Sequence, residues 1–594
     1  MGPYYQHQPL SGPRAIRLVR LRAAADDDDA PLECEFVEAS LDGKPAYAAL
    51  SYTWGDEKPS VPMVVSAAAA PGSPRRQDSP AVLVTPNCAD ALRIWRRYST
   101  LLWVDALSID QASDAEKNIQ VAMMSEIYRR ANMAVIWLGR EWAPEDIAPL
   151  RSGAMRCAWS LPNGIPGTRN VVGWVQNHAV KRAAKACDQQ TLSDITRAPY
   201  WNRMWTLQEA AAVSAGVLCR SGALVSFYHL VECLRIHNWT RNPTVVPLLV
   251  FRRYLCALPR PTGAADAPGL PIGWNHLQPV LLMKASEPRD KVYALRALFP
   301  GALGGVAVRY DHPVEAVFRD ATREFIVRFA DLGILALVGG SRAPAGLPSW
   351  ALDWASGVDT ARFASFGYFA ARASRASPPA YSFSDDSWRL RLRGAGVGRL
   401  SGHVSQEMPR WAPEQALEEF LTQIAGLGVS LGQIFSVFVT EIVEGAAAAT
   451  EPGAGPAAAD GVFRSVQQMV TWVLEAQPRG ADPSAPGTIE LLRRTDDAAS
   501  MLEAFDASTF ALSKMTLGLG WGRFFLTSDG RFGFGAADPG PGDLVCLFSG
   551  LKFPFVVRPR GASFVVVGPA IVDGVMDGEL WPEDEGALTE WEFV

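Results

Sequence analysis

A glutamate that follows two tryptophans at four-residue spacing is the strongest candidate for chemistry in this sequence. Trp201, Trp205 and Glu209 recur every four residues, so one helix over this stretch would place them on a single face. Indole rings keep water from a carboxyl group, which raises its pKa. Such a carboxylate suits the stabilisation of an oxocarbenium-like sugar, and the rings could stack on a nucleobase or a nicotinamide. The alternative is that the tryptophans are core residues and that Glu209 pairs with an arginine such as Arg203 or Arg220.

Two apolar runs that read as strands end in polar residues. The runs are Ala46–Tyr52 and Leu101–Val104. The polar residues that follow them are Thr53, Trp54, Gly55 and Asp56 after the first and Asp105, Ser108, Asp110 and Gln111 after the second. These positions are informative because open parallel sheets bind ligands beyond the carboxyl ends of their strands. Asp56 and Asp110 could equally be turn formers or helix caps, and Asp105 could serve an ion pair or a cap.

The elements that must position these residues alternate between strand and helix. Thr85-Pro86 has the residue types of a helix start, and Ser113-Asp-Ala-Glu116 has the pattern of a capping box at the start of the next helix. An apolar run over Ala134–Leu138 reads as the next buried strand. Strand, helix and strand with tight connections predict an α/β domain with an open parallel sheet and helices on its faces, over residues 40–225.

Further regions are predicted on both sides of this domain. They are an N-terminal extension (1–39), a helical region (226–370), a mixed helical region with flexible linkers (371–520) and a small C-terminal antiparallel β module (521–594). The linkers are placed at 371–387 and 444–461, which are rich in small residues and proline. The β module is predicted from alternating β-rich runs separated by glycine and proline, and we expect it to be partly barrel-like.

Composition and motifs exclude several classes of function. The 56 basic and 62 acidic residues give a net charge of −6, which argues against a nucleic-acid partner. The eight cysteines are scattered without a CxxC pair and no HExxH pattern occurs, so we expect no metal site and a reducing, cytoplasmic location. The sequence contains neither a GxxxxGK[ST] phosphate-binding loop nor a GxSxG elbow.

No signal peptide and no membrane span are predicted. Residues 1–20 lack the apolar segment of a signal peptide. The least charged stretch is Ile424–Thr440, which is short for a span of roughly 20 apolar residues and carries polar side chains. We interpret it as a packed helix, with a membrane-associated segment as the alternative.

Together these blocks closely resemble the fungal heterokaryon-incompatibility (HET) domain family. The three blocks that carry the resemblance occur in order over about 170 residues, at Tyr47–Asp56, Leu102–Gln111 and Tyr200–Glu209. Downstream, Glu287–Tyr293 and Leu347–Trp354 look like elements of long HET-containing proteins. The chain departs from the family at Ser108, where cysteine is frequent, so a thiol-dependent mechanism is unsupported.

The resemblance implies both a fold and a chemistry. HET domains are regarded as distant relatives of TIR domains, which share a flavodoxin-like parallel sheet, and several TIR domains cleave NAD with one glutamate shortly after a tryptophan. Trp205-x-x-x-Glu209 is similar to that arrangement, so Glu209 is the implied catalytic residue. The implied NAD-binding residues are Trp54, Gly55, Asp56, Asp105, Asp110, Gln111 and Trp205. NAD would be a substrate, and no resident cofactor is expected.

The function that the resemblance implies is that of an effector of cell death or allorecognition. In the first hypothesis the effector acts as an NAD glycohydrolase. In the second it is a non-catalytic signalling module that self-associates or docks another incompatibility or signalling protein. A nucleotide-binding regulator without hydrolysis is a third. The regions after residue 225 are expected to restrain the α/β domain.

Overall fold

The computed structural model describes two units, and each is treated below by itself. The described residues are 4–23, 30–55, 57–66, 79–98, 100–139, 189–210, 215–218, 224–227, 283–296, 299–338, 345–356, 372–404, 523–535 and 538–594, with the single positions 230, 277 and 281. The first unit comprises residues 1–271 and 283–312, and the second comprises residues 272–282 and 313–594.

Within the described residues, the first unit is built on a nine-stranded mixed sheet. Its strands are β1 (Ala15–Leu21), β2 (Leu32–Ser40), β3 (Ala48–Tyr52), β4 (Val61–Val65), β5 (Ala81–Val84), β6 (Leu102–Val104), β7 (Met133–Trp137), β8 (Ala215–Leu218) and β9 (Leu224–Ser226). Their spatial order is β5-β4-β2-β1-β6-β3-β7-β8-β9. Residues 15–40, which the sequence places largely in an N-terminal extension, thus supply two strands of the sheet.

The prediction of an α/β fold is confirmed, but the sheet is not parallel throughout. The central strands β6, β3, β7 and β8 are parallel neighbours. Antiparallel pairs flank them, β1 with β6 and β2 on one side and β8 with β9 on the other. The central strands read as continuous apolar runs because β3 and β6 are buried along their whole length. The strands outside this centre, β1, β2, β4, β5 and β9, lie beyond the strands that the sequence analysis identified.

The described residues of the first unit also form helices. They are α1 (Pro86–Trp95), α2 (Asp105–Ser108), α3 (Asp114–Arg130), α4 (Gln189–Thr196), α5 (Thr206–Ala210), α6 (Asp290–Arg296) and α7 (Pro300–Leu303). The predicted helix starts are confirmed, since the Thr85 hydroxyl caps α1 and the Ser113 hydroxyl caps α3. Glu116 does not complete a capping box, because its carboxylate accepts the backbone N–H of Asp110 and a hydrogen bond from Arg17 instead.

The single helix predicted to carry Trp201, Trp205 and Glu209 is wrong. A 3-10 turn spans Pro199–Asn202, Arg203 is extended, and α5 begins only at Thr206. The helix breaks because a second segment takes the backbone groups, with the N–H of Met204 donating to the carbonyl of Lys284 and the N–H of Lys284 donating to that of Asn202. The two tryptophans and the glutamate therefore do not share one helix face.

The second unit contains a closed β-barrel among its described residues. After α8 (Val314–Phe329), its strands are β10 (Tyr381–Phe383), β11 (Leu390–Val404), β12 (Arg523–Thr527), β13 (Phe532–Gly535), β14 (Leu544–Phe548), β15 (Phe555–Arg560), β16 (Ser563–Val572) and β17 (Thr589–Phe593). The strands run β11-β12-β13-β16-β15-β14, and β14 pairs back onto β11. The predicted antiparallel β module is therefore confirmed, and the 15-residue β11 closes it.

Part of the predicted linker at 371–387 is ordered protein. Ala373 and Ser374 are buried, and Tyr381–Phe383 forms β10. The other predicted linker, 444–461, and the apolar stretch Ile424–Thr440 lie outside the described residues. Among the described helices, none has both the length and the apolar character that a bilayer span requires.

Candidate functional site

The carboxyl ends of β3 and β7 are fastened together by one side chain of α1. The Asn87 amide nitrogen donates to the carbonyl of Thr53 at 2.7 Å, and its oxygen accepts the indole N–H of Trp137 at 2.8 Å. Gly139 follows β7 with φ +70°, and a Cβ there would lie 2.8 Å from the Asn87 oxygen. These contacts fix the backbone from which the side chains at the ends of β3 and β7 project.

Asp105 and Trp54 join the ends of β6 and β3. The Trp54 indole N–H donates to Asp105 Oδ2 at 2.9 Å, and the N–H of Ala106 donates to Oδ1 at 2.7 Å. Both Trp54 and Asp105 are half-buried as residues. Burial of the carboxyl group raises the pKa of Asp105, and the positive charge of Arg203 opposes that rise. The pair lies at the boundary between solvent and the interior.

Glu209 lies on α5, and its side chain is in the interior. It is 2% exposed, and the Ser51 hydroxyl donates a hydrogen bond to its Oε2. The Tyr200 hydroxyl shares a hydrogen bond with Ser51, and burial raises the pKa of Tyr200 so that this hydroxyl keeps its proton. Burial raises the pKa of Glu209 to about 7, while the charge of Arg203 and the Ser51 hydrogen bond lower it. Glu209 is therefore poised to exchange its proton near neutrality.

Arg203 is the cation shared by the acidic groups of this region. Its guanidinium donates to the carbonyl of Tyr52 and lowers the pKa of Asp105, Glu209 and Asp290 through its charge. Within the described part of the chain it acts on Asp105 and Glu209 through space, without a side-chain hydrogen bond to either. The alternative is thus confirmed in one part, since Trp201 and Trp205 are core residues, whereas the direct pair of Glu209 with Arg203 is not formed. Arg220 lies outside the described residues.

Trp205 contacts a third carboxyl group rather than an open surface. Its indole N–H donates to Asp290 Oδ2 at 2.9 Å, and the Tyr310 hydroxyl donates to Asp290 Oδ1 at 2.6 Å. Burial raises the pKa of Asp290 to about 6, against the effect of both hydrogen bonds. Trp205 is 9% exposed, so its ring belongs to the interior.

Two of the remaining predicted site residues, Asp110 and Gln111, have roles within their own loop. Asp110 is a turn former, since its Oδ1 accepts the N–H of Ala112 at 3.0 Å. The Gln111 amide donates to the carbonyl of Asp105 at 3.0 Å and supports the loop from outside. Gly55 is exposed with φ +72°, and Asp56 lies outside the described residues. Among the predicted binding residues that follow the strands, Asp105 is the one whose charge raises the pKa of Glu209.

The site also contains residues that the sequence did not single out. Ser51 binds Glu209 directly, and Tyr200 is linked to Glu209 through the Ser51 hydroxyl. Asp290 binds Trp205. Ser51 had a signal, because it is a polar residue inside the otherwise apolar β3. Ser108 is structural, since its buried hydroxyl accepts the N–H of Val104 at 3.0 Å. In the residues that the structure describes, no group of three histidine, cysteine or acidic side chains could hold a metal ion.

The raised pKa of Glu209 makes a prediction about stability. The folded protein keeps the Glu209 proton up to about pH 7, whereas the unfolded chain loses it near 4.5. The free energy of unfolding of the wild type should therefore fall by about 3 kcal/mol, relative to Glu209→Gln, between pH 4.5 and pH 8. Unfolding of both proteins across this range measures the difference. A difference that does not depend on pH would contradict the buried, neutral carboxyl.

The described residues form an α/β unit with buried acidic groups and a second unit with a β-barrel, and comparison with known proteins indicates the class of protein. Residues 47–209 match the family described as Heterokaryon incompatibility protein (HET). Residues 496–587 match the Het-6 beta-barrel domain. The chain is 24% identical to Heterokaryon incompatibility protein 6, OR allele, of Neurospora crassa, over 97% of this chain and 96% of the relative. No solved structure matches. The chain therefore carries a heterokaryon-incompatibility (HET) domain over residues 47–209 and a Het-6 beta-barrel domain over residues 496–587.

Proposed function

We propose that this chain is a heterokaryon-incompatibility effector that triggers cell death or allorecognition. The match to the HET family and a relative named Heterokaryon incompatibility protein 6 support this class of function. The similarity spans 97% of this chain and 96% of the relative, so it includes both the α/β unit and the barrel of this chain. The effector is expected to act by self-association or through another incompatibility protein.

The chemistry we propose for the effector is TIR-like hydrolysis of NAD at Glu209. The parallel strands β3, β6, β7 and β8 lie in the order 2-1-3-4 when numbered along the chain, as in flavodoxin-like sheets, which supports this relationship. The observation that carries the proposal is the burial of the Glu209 carboxyl, which raises its pKa to about 7. A buried carboxylate stabilises a developing positive charge more strongly than one in water.

In this reaction the bond between the ribose C1′ and the nicotinamide nitrogen breaks, and the nicotinamide leaves with the electron pair. Ionised Glu209 stabilises the oxocarbenium-like ribose, water adds to C1′, and the proton released passes to solvent. Asp105 would hold ribose hydroxyls. Because Glu209 is 2% exposed, the substrate must displace part of its cover, and the half-buried Trp54 is the side chain we expect to move, releasing Asp105.

Nicotinamide release from NAD by purified full-length protein tests this chemistry. We expect wild-type protein to release nicotinamide at high protein concentration and Glu209→Gln to lose the activity by about a hundredfold or more. The matched control is Glu57→Gln, which makes the same change at an exposed glutamate of the first unit and should retain full activity. Equal release by wild type and Glu209→Gln would remove Glu209 from the mechanism.

The second candidate function is a non-catalytic signalling module. The observation that favours it is the near-complete burial of Glu209 with its Ser51 hydrogen bond, which a purely structural carboxyl would also show. In that case charge reversals on the surface of the first unit should abolish cell killing, and Glu209→Gln should leave it intact. The two candidates therefore predict opposite effects of the same substitution.

A further inference from the structure

The segment over residues 283–312 is built into the stretch that carries Glu209. Arg203 and Lys284 form a parallel β-bridge, and the N–H of Met204 donates to the carbonyl of Lys284 at 2.9 Å. The segment is also tied to α3, since the N–H of Tyr310 donates to the Asn118 side chain at 2.8 Å. The family match ends at residue 209, so this segment lies beyond it in the chain and within the same unit in the fold.

Asp290 is the side chain through which this segment reaches α5. Its two carboxylate oxygens are divided between two donors, the Trp205 indole at 2.9 Å and the Tyr310 hydroxyl at 2.6 Å. The carbonyl of Trp205 in turn accepts the N–H of Gln208 at 3.2 Å and that of Glu209 at 3.3 Å. Trp205 therefore has two roles: its indole binds Asp290, and its carbonyl closes the first turn of α5.

We propose that Asp290 is a positioning residue of the HET site, which fixes the Trp205 indole and thereby the helix that presents Glu209 to Ser51. The functional α/β unit then extends to residue 312 and is discontinuous in sequence. A helix of five residues has little stability of its own, so its position depends on such external contacts. The effect of Asp290 on catalysis rests on the function proposed above, whereas its effect on the position of Trp205 and α5 does not.

Two variants of Asp290 separate its hydrogen bond from its charge. Asp290→Ala removes both acceptors, so Trp205 loses its partner and α5 is expected to open to water. Asp290→Asn keeps one oxygen for the indole and can donate its amide to the Tyr310 hydroxyl, so it should preserve the position of Trp205. Asp311→Ala is the matched control, because Asp311 lies in the same segment, is partly exposed and pairs with Arg309.

The readout is the titration of the Glu209 carboxyl carbon by NMR in the full-length protein labelled at glutamate, with the signal assigned by its loss in Glu209→Gln. In the wild type and in Asp311→Ala we expect a midpoint near 7. Asp290→Ala should lower the midpoint toward the ordinary glutamate value by one unit or more, because water reaches the carboxyl. Asp290→Asn should restore the wild-type midpoint. An unchanged midpoint in Asp290→Ala would overturn the proposal, as would an equal shift in Asp290→Asn.

Nicotinamide release by the same variants tests the catalytic consequence separately. Asp290→Ala is expected to reduce kcat about tenfold or more with little change in KM, because substrate contacts remain while the catalytic group is misplaced. Asp290→Asn should recover most of kcat. If Asp290→Ala shifts the Glu209 titration but Glu209→Gln releases nicotinamide like the wild type, the positioning role stands and the proposed chemistry fails. If Glu209→Gln abolishes release and Asp290→Ala does not alter the titration, the proposed chemistry stands and the positioning role fails.

Discussion

Replacing Arg203 with methionine is expected to destabilise the first unit by about 3–5 kcal/mol at pH 8, since it removes the cation that opposes several buried acidic groups. The loss should be smaller at pH 5. There Glu209 and Asp290, whose pKa values are raised to about 7 and about 6, are mostly protonated, and the charge of Arg203 has less to stabilise. What remains at pH 5 is the lost hydrogen bond to the buried carbonyl of Tyr52, which costs about 1–3 kcal/mol.

Unfolding of Arg203→Met and wild type at the two pH values measures this effect. Arg129→Met is the control, because Arg129 is an exposed arginine of α3 and its loss should change stability little at either pH. Arg203→Met should also raise the pKa of Glu209 further, which moves the acidic limb of NAD cleavage to higher pH. A destabilisation that is the same at pH 5 and pH 8 would show that Arg203 does not serve the acidic cluster.

Arg17→Met is the second substitution for which we expect a large loss, again about 3–5 kcal/mol. Arg17 lies on β1 and is 3% exposed. Its guanidinium pairs with Glu116 at 2.8 Å and donates to the carbonyls of Ser108 and Gln8, each at 2.7 Å. Without it, the Glu116 carboxylate and two carbonyls lose a donor in a region with little access to water. The loop between Asp105 and α3 should loosen as well, because Arg17 holds it at Ser108.

The same substitution at Arg20, three residues further along β1, provides the control. Arg20 lies on β1 and pairs with Glu35 at 2.9 Å, but its side chain is 55% exposed. Arg20→Met is expected to cost less than about 1 kcal/mol, because exposed ion pairs contribute little. Chemical unfolding of the two variants measures the contrast. Similar losses in both would show that burial of the Arg17 pair is not what makes it important.

The sequence predicted those elements that are determined by residues close to one another in the chain. Thr85 and Ser113 predict the starts of α1 and α3, because each hydroxyl accepts a backbone N–H only three residues later in the chain. The buried strands β3 and β6 are visible as apolar runs, and the residues that follow them, Trp54 and Asp105, do meet at 2.9 Å. The sequence therefore located one edge of the candidate site.

Partners distant in the chain determined the features that sequence spacing did not predict. The helix over Trp201, Trp205 and Glu209 is broken because Lys284, some 80 residues later, binds the backbone of Asn202 and Met204. Ser51 meets Glu209 across a sequence separation of 158 residues. In the second unit β11 completes the barrel from more than 100 residues before the other strands, a pairing that no local pattern reports.

Killing of fungal hyphae by the induced full-length chain tests the central claim most directly, namely that the effector acts through the Glu209 carboxyl. Wild type, Glu209→Gln and Glu57→Gln would be expressed to equal levels, with thermal unfolding used to verify that all three are folded. We predict that wild type and Glu57→Gln kill and that Glu209→Gln does not. Killing by folded Glu209→Gln at the wild-type level would contradict the account.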